Sequence, residues 1–470
     1  MVVNAGDSLL DAERSPTATP HRITIKTDQK RWWPKTIYHT YWSRMSFWIQ
    51  RNIVWTLTGV AIMCIAGYLF LTPNQSSSGA SAYNASAESI LKSIKEKFND
   101  PSFVNYAAHQ EKLKPYGSDY IAPDTHINWN AVSNSTGKVK AAFVALVEEH
   151  DIYKLRTTMI ELERTFNERE GYPWVIISDK VFSKKFREWI TNASKAPVYF
   201  GQAPAIEWQE PYWVDIKKAE KNMKQMVKDH NIDKGESMSW RRMTRYNMGF
   251  IAHHPLLKDL EYYWKVQPGS RYACDIQTDP FKKMKAKGQK LSFALTMVEN
   301  HENLDEFFDV VNGFIVDNKD MLQPTSKSIF KGLLHEGSRN KPIDPNNPLG
   351  EHSGHFTNCM IYNNFAIFSL QFLRSKEYTK YFDELDASGG FFYHRWGDAL
   401  PQTIAASLLL KRSEIAYNDI PGYASGAGSV CPQDINEYAE LKCTCTQNDW
   451  RTHNMRHCSP TFMRAIDGTL

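Results

Sequence analysis

Residues 141–177 read AAFVALVEEHDIYKLRTTMIELERTFNEREGYPWVII, and the hydrophobic period changes twice along them. Ala141 to Val147 is an unbroken apolar run of strand length. Ile152, Leu155, Met159, Leu162 and Phe166 then recur every three or four residues, the spacing that lines one face of a helix. Trp174 to Ile177 is continuous and apolar again. Strands apolar on both faces and joined by an amphipathic helix predict a parallel sheet covered on each side. Strand-like runs at Val198–Phe200 and Leu291–Met297 continue the alternation, with helical stretches at Lys217–Lys228, Leu304–Ile315 and Ile404–Leu410. The fold class expected is α/β.

Outward from this core, the chain is 470 residues long, 42% apolar and 13% aromatic. That is enough for one large domain or two with appendages, and it excludes general disorder. Ile53 to Leu71 is nineteen residues without a charge. At ~1.5 Å per residue this suffices to cross a hydrocarbon core of about 30 Å. Residues 1–52 hold eight Lys or Arg, whereas the first charges beyond the span are Glu88 and Lys92. A retained single-span anchor with a cytosolic N-terminus follows. The expected organisation is a basic tail (1–52), the anchor (53–71), a Ser/Ala/Gly/Asn-rich stem (72–112), a globular domain (113–430) and a cysteine-containing extension (431–470).

Charge and cysteine usage narrow the classes further. The tail's eight basic and four acidic residues account for the whole net charge of +4. The rest is formally neutral, with no basic patch for nucleic acid. Cys274, Cys359, Cys431, Cys443, Cys445 and Cys458 all follow the span, as do the sequons at Asn74, Asn84, Asn134 and Asn192. An oxidising lumen favours disulfides among these cysteines, with fifteen pairings open, over a zinc site with His453 and His457. There is no G-x-G-x-x-G loop, no Walker loop and no G-x-S-x-G elbow, so the reaction classes built on them lose their support.

Several motifs occur in order. They are Arg164-Thr165-Phe166-Asn167 with Tyr172-Pro173-Trp174-Val175, then His254-Pro255-Leu256-Leu257, then Tyr262-Tyr263-Trp264-Lys265-Val266-Gln267-Pro268. Asn363-Asn364-Phe365-Ala366-Ile367 and Gly389-Gly390-Phe391-Phe392-Tyr393 follow, the latter with Arg395-Trp396-Gly397-Asp398-Ala399. Over most of residues 140–432 the chain resembles the fungal α-1,2-mannosyltransferases of glycosyltransferase family 15. The resemblance implies a Rossmann-like GT-A fold on a single N-terminal membrane anchor, held in the Golgi membrane with its C-terminal domain in the lumen. It also implies a GDP-mannose donor, a mannosylated glycoprotein acceptor and Mn²⁺ as cofactor.

The same resemblance shows where this chain departs. The family's S-N-F-E-I carboxylate is replaced by Ala366, and its metal-binding Glu by Gln267. Trp240 stands for a Tyr near the donor, Glu148 for a donor-binding Arg, Met360 for a His, Ser425 near a metal-ligand His, and His394 for a Glu. Asp398 survives as the candidate catalytic carboxylate; its other reading is the N-cap of the helix that follows. Arg245, Trp240 and Asp179 are the candidate donor-binding residues, Asp179 because it ends the second strand, where ligands gather in open α/β sheets. Gln267 is the candidate metal ligand, and His394 and His355 could supplement it. Three readings stay open: a mannosyltransferase with an altered site, a non-catalytic member that binds glycan, nucleotide or active homologous mannosyltransferases, or a transferase with a different donor or no metal.

Overall fold

In a computed structural model, the described residues are 121–132, 137–339, 356–417, 420–426, 428–447 and 458–470. Ile53–Leu71, Asn74, Asn84, Asn134, His355, His453 and His457 lie outside them. Among the described residues no helix is long and apolar enough to cross a membrane.

The opening stretch folds as β1 (Ala141–Leu146), α1 (Ile152–Leu162) and β2 (Trp174–Ser178). Beyond α1 the helix widens through a π-turn at Glu163–Asn167. Buried Glu163 accepts there from Asn167 Nδ2 (2.6 Å) and Trp174 Nε1 (2.7 Å), and Asn167 also bonds both backbone groups of Tyr172. The Arg164–Asn167 and Tyr172–Val175 motifs therefore hold α1 against β2, a structural role. The chain continues through β3 (Val198–Gln202), α2 (Lys184–Thr191) lying between β2 and β3, α3 (Ile216–His230) and α4 (Met238–Gly249).

Next come β4 (Tyr262–Val266), β5 (Arg271–Tyr272), α5 (Pro280–Lys287), β6 (Leu291–Phe293), β7 (Thr296–Val298) and α6 (Phe307–Asp317). Then follow β8 (Cys359–Ile361), β9 (Phe365–Ser369), α7 (Lys376–Ser388), α8 (Ala399–Leu409), β10 (Ile415–Tyr417), β11 (Tyr423–Ser425), β12 (Gly428–Ser429) and α9 (Ser459–Asp467). The expected run Leu291–Met297 divides into β6 and β7, which enter different sheets.

The main sheet has seven strands in the order β10-β6-β9-β4-β1-β2-β3. All its pairings are parallel except those of β9, which runs antiparallel to β4 and β6. Reversing β9 brings its N-terminus to the carboxyl end of β4, with Val266 paired to Phe365. Alternating side chains feed two cores. On one face Phe143 stacks on Trp174 (4.6 Å between ring centres) and lies 5.2 Å from Trp264. On the other, α4, α6, α7, α8 and α9 pack against Val144, Tyr263, Phe293 and Ala366. Gly249 lets α4 approach α7, since a Cβ there would fall 2.1 Å from the Phe382 ring.

All six described cysteines are paired: Cys274–Cys443, Cys359–Cys458 and Cys431–Cys445. The segment from Cys431 folds back as a stapled extension, and α9 buries Phe462 and Ala465 in the main core. Asn192 is exposed at the end of α2, as a glycan acceptor must be.

Candidate functional site

A cleft of about 100 Å³ opens at the carboxyl ends of β1 and β4, the end at which open α/β sheets bind ligands. Val144 and Leu146 of β1 line it, with Lys265, Val266 and Gln267 from β4 and the turn after it. Asn364 enters from the start of β9 and Asp398 from the turn before α8. Ser237 caps α4 by accepting from the Trp240 N–H, and the helix then presents Trp240, Met243, Thr244 and Asn247, three and four residues apart, to the cleft. Small-molecule sites usually measure about 300–1,000 Å³, so only part of a nucleotide sugar fits inside.

Asp398 is 8% exposed and makes no side-chain cap to α8. Its carboxylate turns into the cleft instead. Lys265 Nζ lies 2.7 Å from Oδ2, and Asn247 Nδ2 donates to the same oxygen. Asn247 is positioned through its carbonyl by Gln402 (3.4 Å), itself held by Asn363 (2.7 Å). The Tyr263 hydroxyl is buried without a hydrogen-bond partner, and burial pushes it far above its ordinary range, aided by Tyr378 and by the Asp398 charge.

Ala366 is fully buried on β9 and paired with Lys265 on β4 and Phe293 on β6. Directly paired residues share a face, so Lys265 and Ala366 stand side by side. Gln267 reaches the cleft, and its amide has no hydrogen-bond partner among the described residues. Trp240 also lines it. Glu148 does not enter; its carboxylate accepts from the Ser239 hydroxyl at the start of α4.

The other expectations are corrected. Arg245 is 3% exposed and locked to Asp386 by two bonds of 2.6 and 2.8 Å, with further bonds to the carbonyls of Glu207 and Gln209. Four of its five N–H donors are thus engaged, and its charge is matched by Asp386. Asp179 sits beyond β2 outside the cleft lining, its carbonyl accepting from Gln202. His394 stacks on Trp396 and faces Glu306 at 3.7 Å. Met360 pairs with Met297 in the β7–β8 ribbon, and Ser425 sits against the Tyr362 and Tyr423 hydroxyls.

Mn²⁺ fits this donor set poorly. The lining offers three neutral amides, Asn247, Gln267 and Asn364, and one carboxylate, Asp398, already paired with an ammonium group. Hard divalent cations take most of their affinity from anionic oxygens. Among the described residues the only grouped His, Cys, Asp or Glu ligand atoms are the sulfurs of Cys274, Cys443 and Cys445, all in disulfides.

The sequence reading missed Lys265 and Asn247. A lysine in an otherwise apolar central strand, YYWKV, was the available signal for the first. An Asn three and four residues on from Thr244 and Met243 was the signal for the second.

Comparison with known proteins bears on this geometry. A glycolipid 2-alpha-mannosyltransferase of Candida albicans is 33% identical over 330 residues, covering 70% of this chain and 68% of that one. Alpha-1,2 mannosyltransferase KTR1 of Saccharomyces cerevisiae is 32% identical over 323 residues, covering 69% and 78%. The crystal structure of the S. cerevisiae mannosyltransferase Ktr4p in complex with GDP superposes with a TM-score of 0.64 at 26% identity, over 78% of this chain and 92% of that one. Core-mannan synthase A of Aspergillus fumigatus, in its Mn/GDP form, gives 0.63 at 25% identity, over 74% and 92%. Residues 92–467 match the glycolipid 2-alpha-mannosyltransferase family throughout, and the chain belongs to that family.

Proposed function

We propose that this chain is a single-pass Golgi membrane protein whose lumenal domain takes GDP-mannose and extends mannosylated glycoproteins with α-1,2-linked mannose, at a site built around Asp398. The observation that supports this most is the direction of the Asp398 side chain, away from the helix it precedes and into the cleft. A carboxylate so placed accepts a hydrogen bond from an acceptor hydroxyl. It then takes that proton as the new C–O bond forms and the C–O bond to GDP breaks. Trp240 supplies a flat face against which a sugar or base can pack. The test is transfer of mannose from GDP-mannose to an α-mannoside by the full-length chain in detergent. Turnover lost in Asp398→Asn supports the reading; a folded wild-type chain without turnover sinks it.

A second reading is favoured by the poor metal donor set and by Ala366. In it the chain is a non-catalytic member that binds mannosylated glycan, or associates with active homologous mannosyltransferases. Losing a catalytic carboxylate and metal ligands together costs many powers of ten in rate. Mannoside binding without transfer, weakened by Asp398→Asn, would support it.

A further inference from the structure

Three arginines belong to α4: Arg241, Arg242 and Arg245. A fourth, Arg395, stacks against the same helix. Arg242 pairs with Glu210 at 2.6 Å and Arg245 with Asp386. Arg241 and Arg395 have no such partner. Arg241 is fully buried, and its guanidinium donates to neutral acceptors alone: backbone carbonyls, those of His394 (3.0 Å) and Gly235 (2.7 Å) being the closest, and the Met226 sulfur (3.9 Å). Arg395 lies 4.2 Å over the Trp240 ring and forms no ion pair among the described residues, and its buried Nε has no hydrogen-bond partner.

These two cations are neighbours. Burial, and then the charge of Arg395, pull the Arg241 guanidinium down to about 10. Burial also lowers Arg395, against the pull of Glu299 and Asp233, neither of which reaches ion-pair distance. Burial pushes the Glu299 carboxyl up, toward its neutral form, although Asn303 and the Asn300 N–H bond it. Lys234 lines the cleft beside Trp240 and holds a left-handed backbone, φ 56°, an uncommon conformation for a lysine. The Asp398 charge is already matched by Lys265. Lys234 on the cleft rim thus has two further cations behind it, Arg395 and the buried Arg241, against the carboxylates of Asp233 and of Glu148, which is held by Ser239, and an acid pushed toward neutrality. An orphaned, part-buried guanidinium beside two further cations is the arrangement that recognises phosphate, through charge and planar N–H geometry.

We infer that Arg395 and Lys234, backed by the buried Arg241, clamp the diphosphate of a nucleoside-diphosphate sugar at the Trp240 rim, and that these side chains do there what a divalent metal ion would otherwise do. This rests on the donor-binding reading above, yet the clamp is testable without turnover. Arg395 is only partly buried and lies over Trp240, whose ring lines the cleft, so its terminal N–H groups are the ones placed to donate to phosphate oxygens at that rim. The small cleft volume agrees, because the diphosphate sits at the mouth and only the sugar inside.

The experiment is calorimetric titration of the full-length chain in detergent with GDP and with inorganic pyrophosphate, both in EDTA and at two salt concentrations. Both ligands are expected to bind in EDTA, more weakly at higher salt, and with no gain when Mn²⁺ replaces EDTA. Arg395→Gln is expected to weaken both at least tenfold. Lys234→Ala, at an exposed position where folding is not at stake, is expected to weaken both by about threefold to tenfold. Binding that requires Mn²⁺, no pyrophosphate binding at all, or unchanged affinity in Lys234→Ala overturns the clamp. Should Arg395→Gln fail to fold, Lys234→Glu decides the matter, since reversal of charge must abolish pyrophosphate binding. Pyrophosphate binding in EDTA without mannose transfer would remove the transfer reading alone. Transfer that depends on Mn²⁺ and is indifferent to Arg395 would remove the clamp alone.

Discussion

Lys265 Nζ lies 2.7 Å from Asp398 Oδ2 in a site where both side chains are largely shielded from water. Removing one partner strands the other charge, which costs about 3–5 kcal/mol in such settings. Asp398→Ala is therefore expected to lower unfolding stability by that order, and Asp398→Leu with Lys265→Met to cost clearly less. Urea unfolding of wild type and the two variants checks this. Equal losses in the single and double variants would mean the pair contributes nothing as a pair.

The pairing of Lys265 with Ala366 makes a gain-of-function test possible. Glutamate at 366 would place a second carboxylate beside the Lys265 ammonium, and glutamate at 267 would put an anionic oxygen where a neutral amide now reaches the cleft. Ala366→Glu combined with Gln267→Glu is expected to create Mn²⁺-dependent GDP binding, read as a Mn²⁺-linked rise in affinity of tenfold or more. No response to Mn²⁺ in the folded double variant would show that anionic oxygens at 267 and 366 do not suffice to hold the ion.

Much of this was legible in the primary structure, for identifiable reasons. The period change across residues 141–177 made β1, α1 and β2 readable because both faces of those strands are buried and the helix has one apolar stripe. The direction of Asp398 was not readable. An acidic residue just before an apolar helix is equally a cap, and only the approach of Lys265 from β4 decides between the roles. Arg245 misled for the opposite reason: its partner Asp386 lies 141 positions away on α7, so its engagement is purely tertiary. The Arg241–Arg395 pair escaped notice because those residues are 154 positions apart and meet only where α4 crosses the turn before α8.

Arg245 offers a clean check on that correction. With the Asp386 bond buried and bidentate, Arg245→Ala is expected to lose about 3–5 kcal/mol of stability. Arg245→Lys should be intermediate, since an ammonium cannot reproduce the fork. GDP affinity of the folded Arg245→Lys protein should match wild type. A large affinity loss at unchanged stability would return Arg245 to the binding site.

His254 predicts a pH dependence. Its Nδ1 accepts from the Leu256 N–H at 3.1 Å, so Nε2 carries the proton and donates to the Gln202 carbonyl at 3.2 Å. Gly201 leaves room for the ring, because a Cβ there would lie 2.5 Å from Cε1. Burial, which outweighs the bond to Gln202, pulls the imidazole from 6.5 down to about 4. The unfolded chain binds this proton more readily than the folded one. The stabilisation is therefore complete above pH 6.5 and fades as pH falls toward 4, by about 3 kcal/mol in all. Unfolding free energies between pH 7 and pH 4 should show that decline, and His254→Gln should flatten it by the same amount.

The Cys359–Cys458 bridge closes a separation of 99 residues. A loop of that size implies about 4–5 kcal/mol from restriction of the unfolded chain. Cys359→Ser with Cys458→Ser is expected to lower stability by that order while leaving the Cys274–Cys443 and Cys431–Cys445 bridges to form. Thermal melts with thiol titration measure both quantities. A melting temperature unchanged by the double substitution would show that packing of α9 alone holds the end of the chain.

That end lies nearer to the cleft than its place in the sequence suggests. Phe462 of α9 sits 5.8 Å from Phe293, and Phe293 is the cross-strand neighbour of Ala366 on the side away from Lys265. The last helix thus backs the sheet two side chains behind Ala366, whose other neighbour, Lys265, lines the cleft. A fragment that stops before Ser459 would uncover Phe293 and loosen the strand beside Ala366, so assays of sugar binding are best run with the C-terminal helix intact and the tag at the other end.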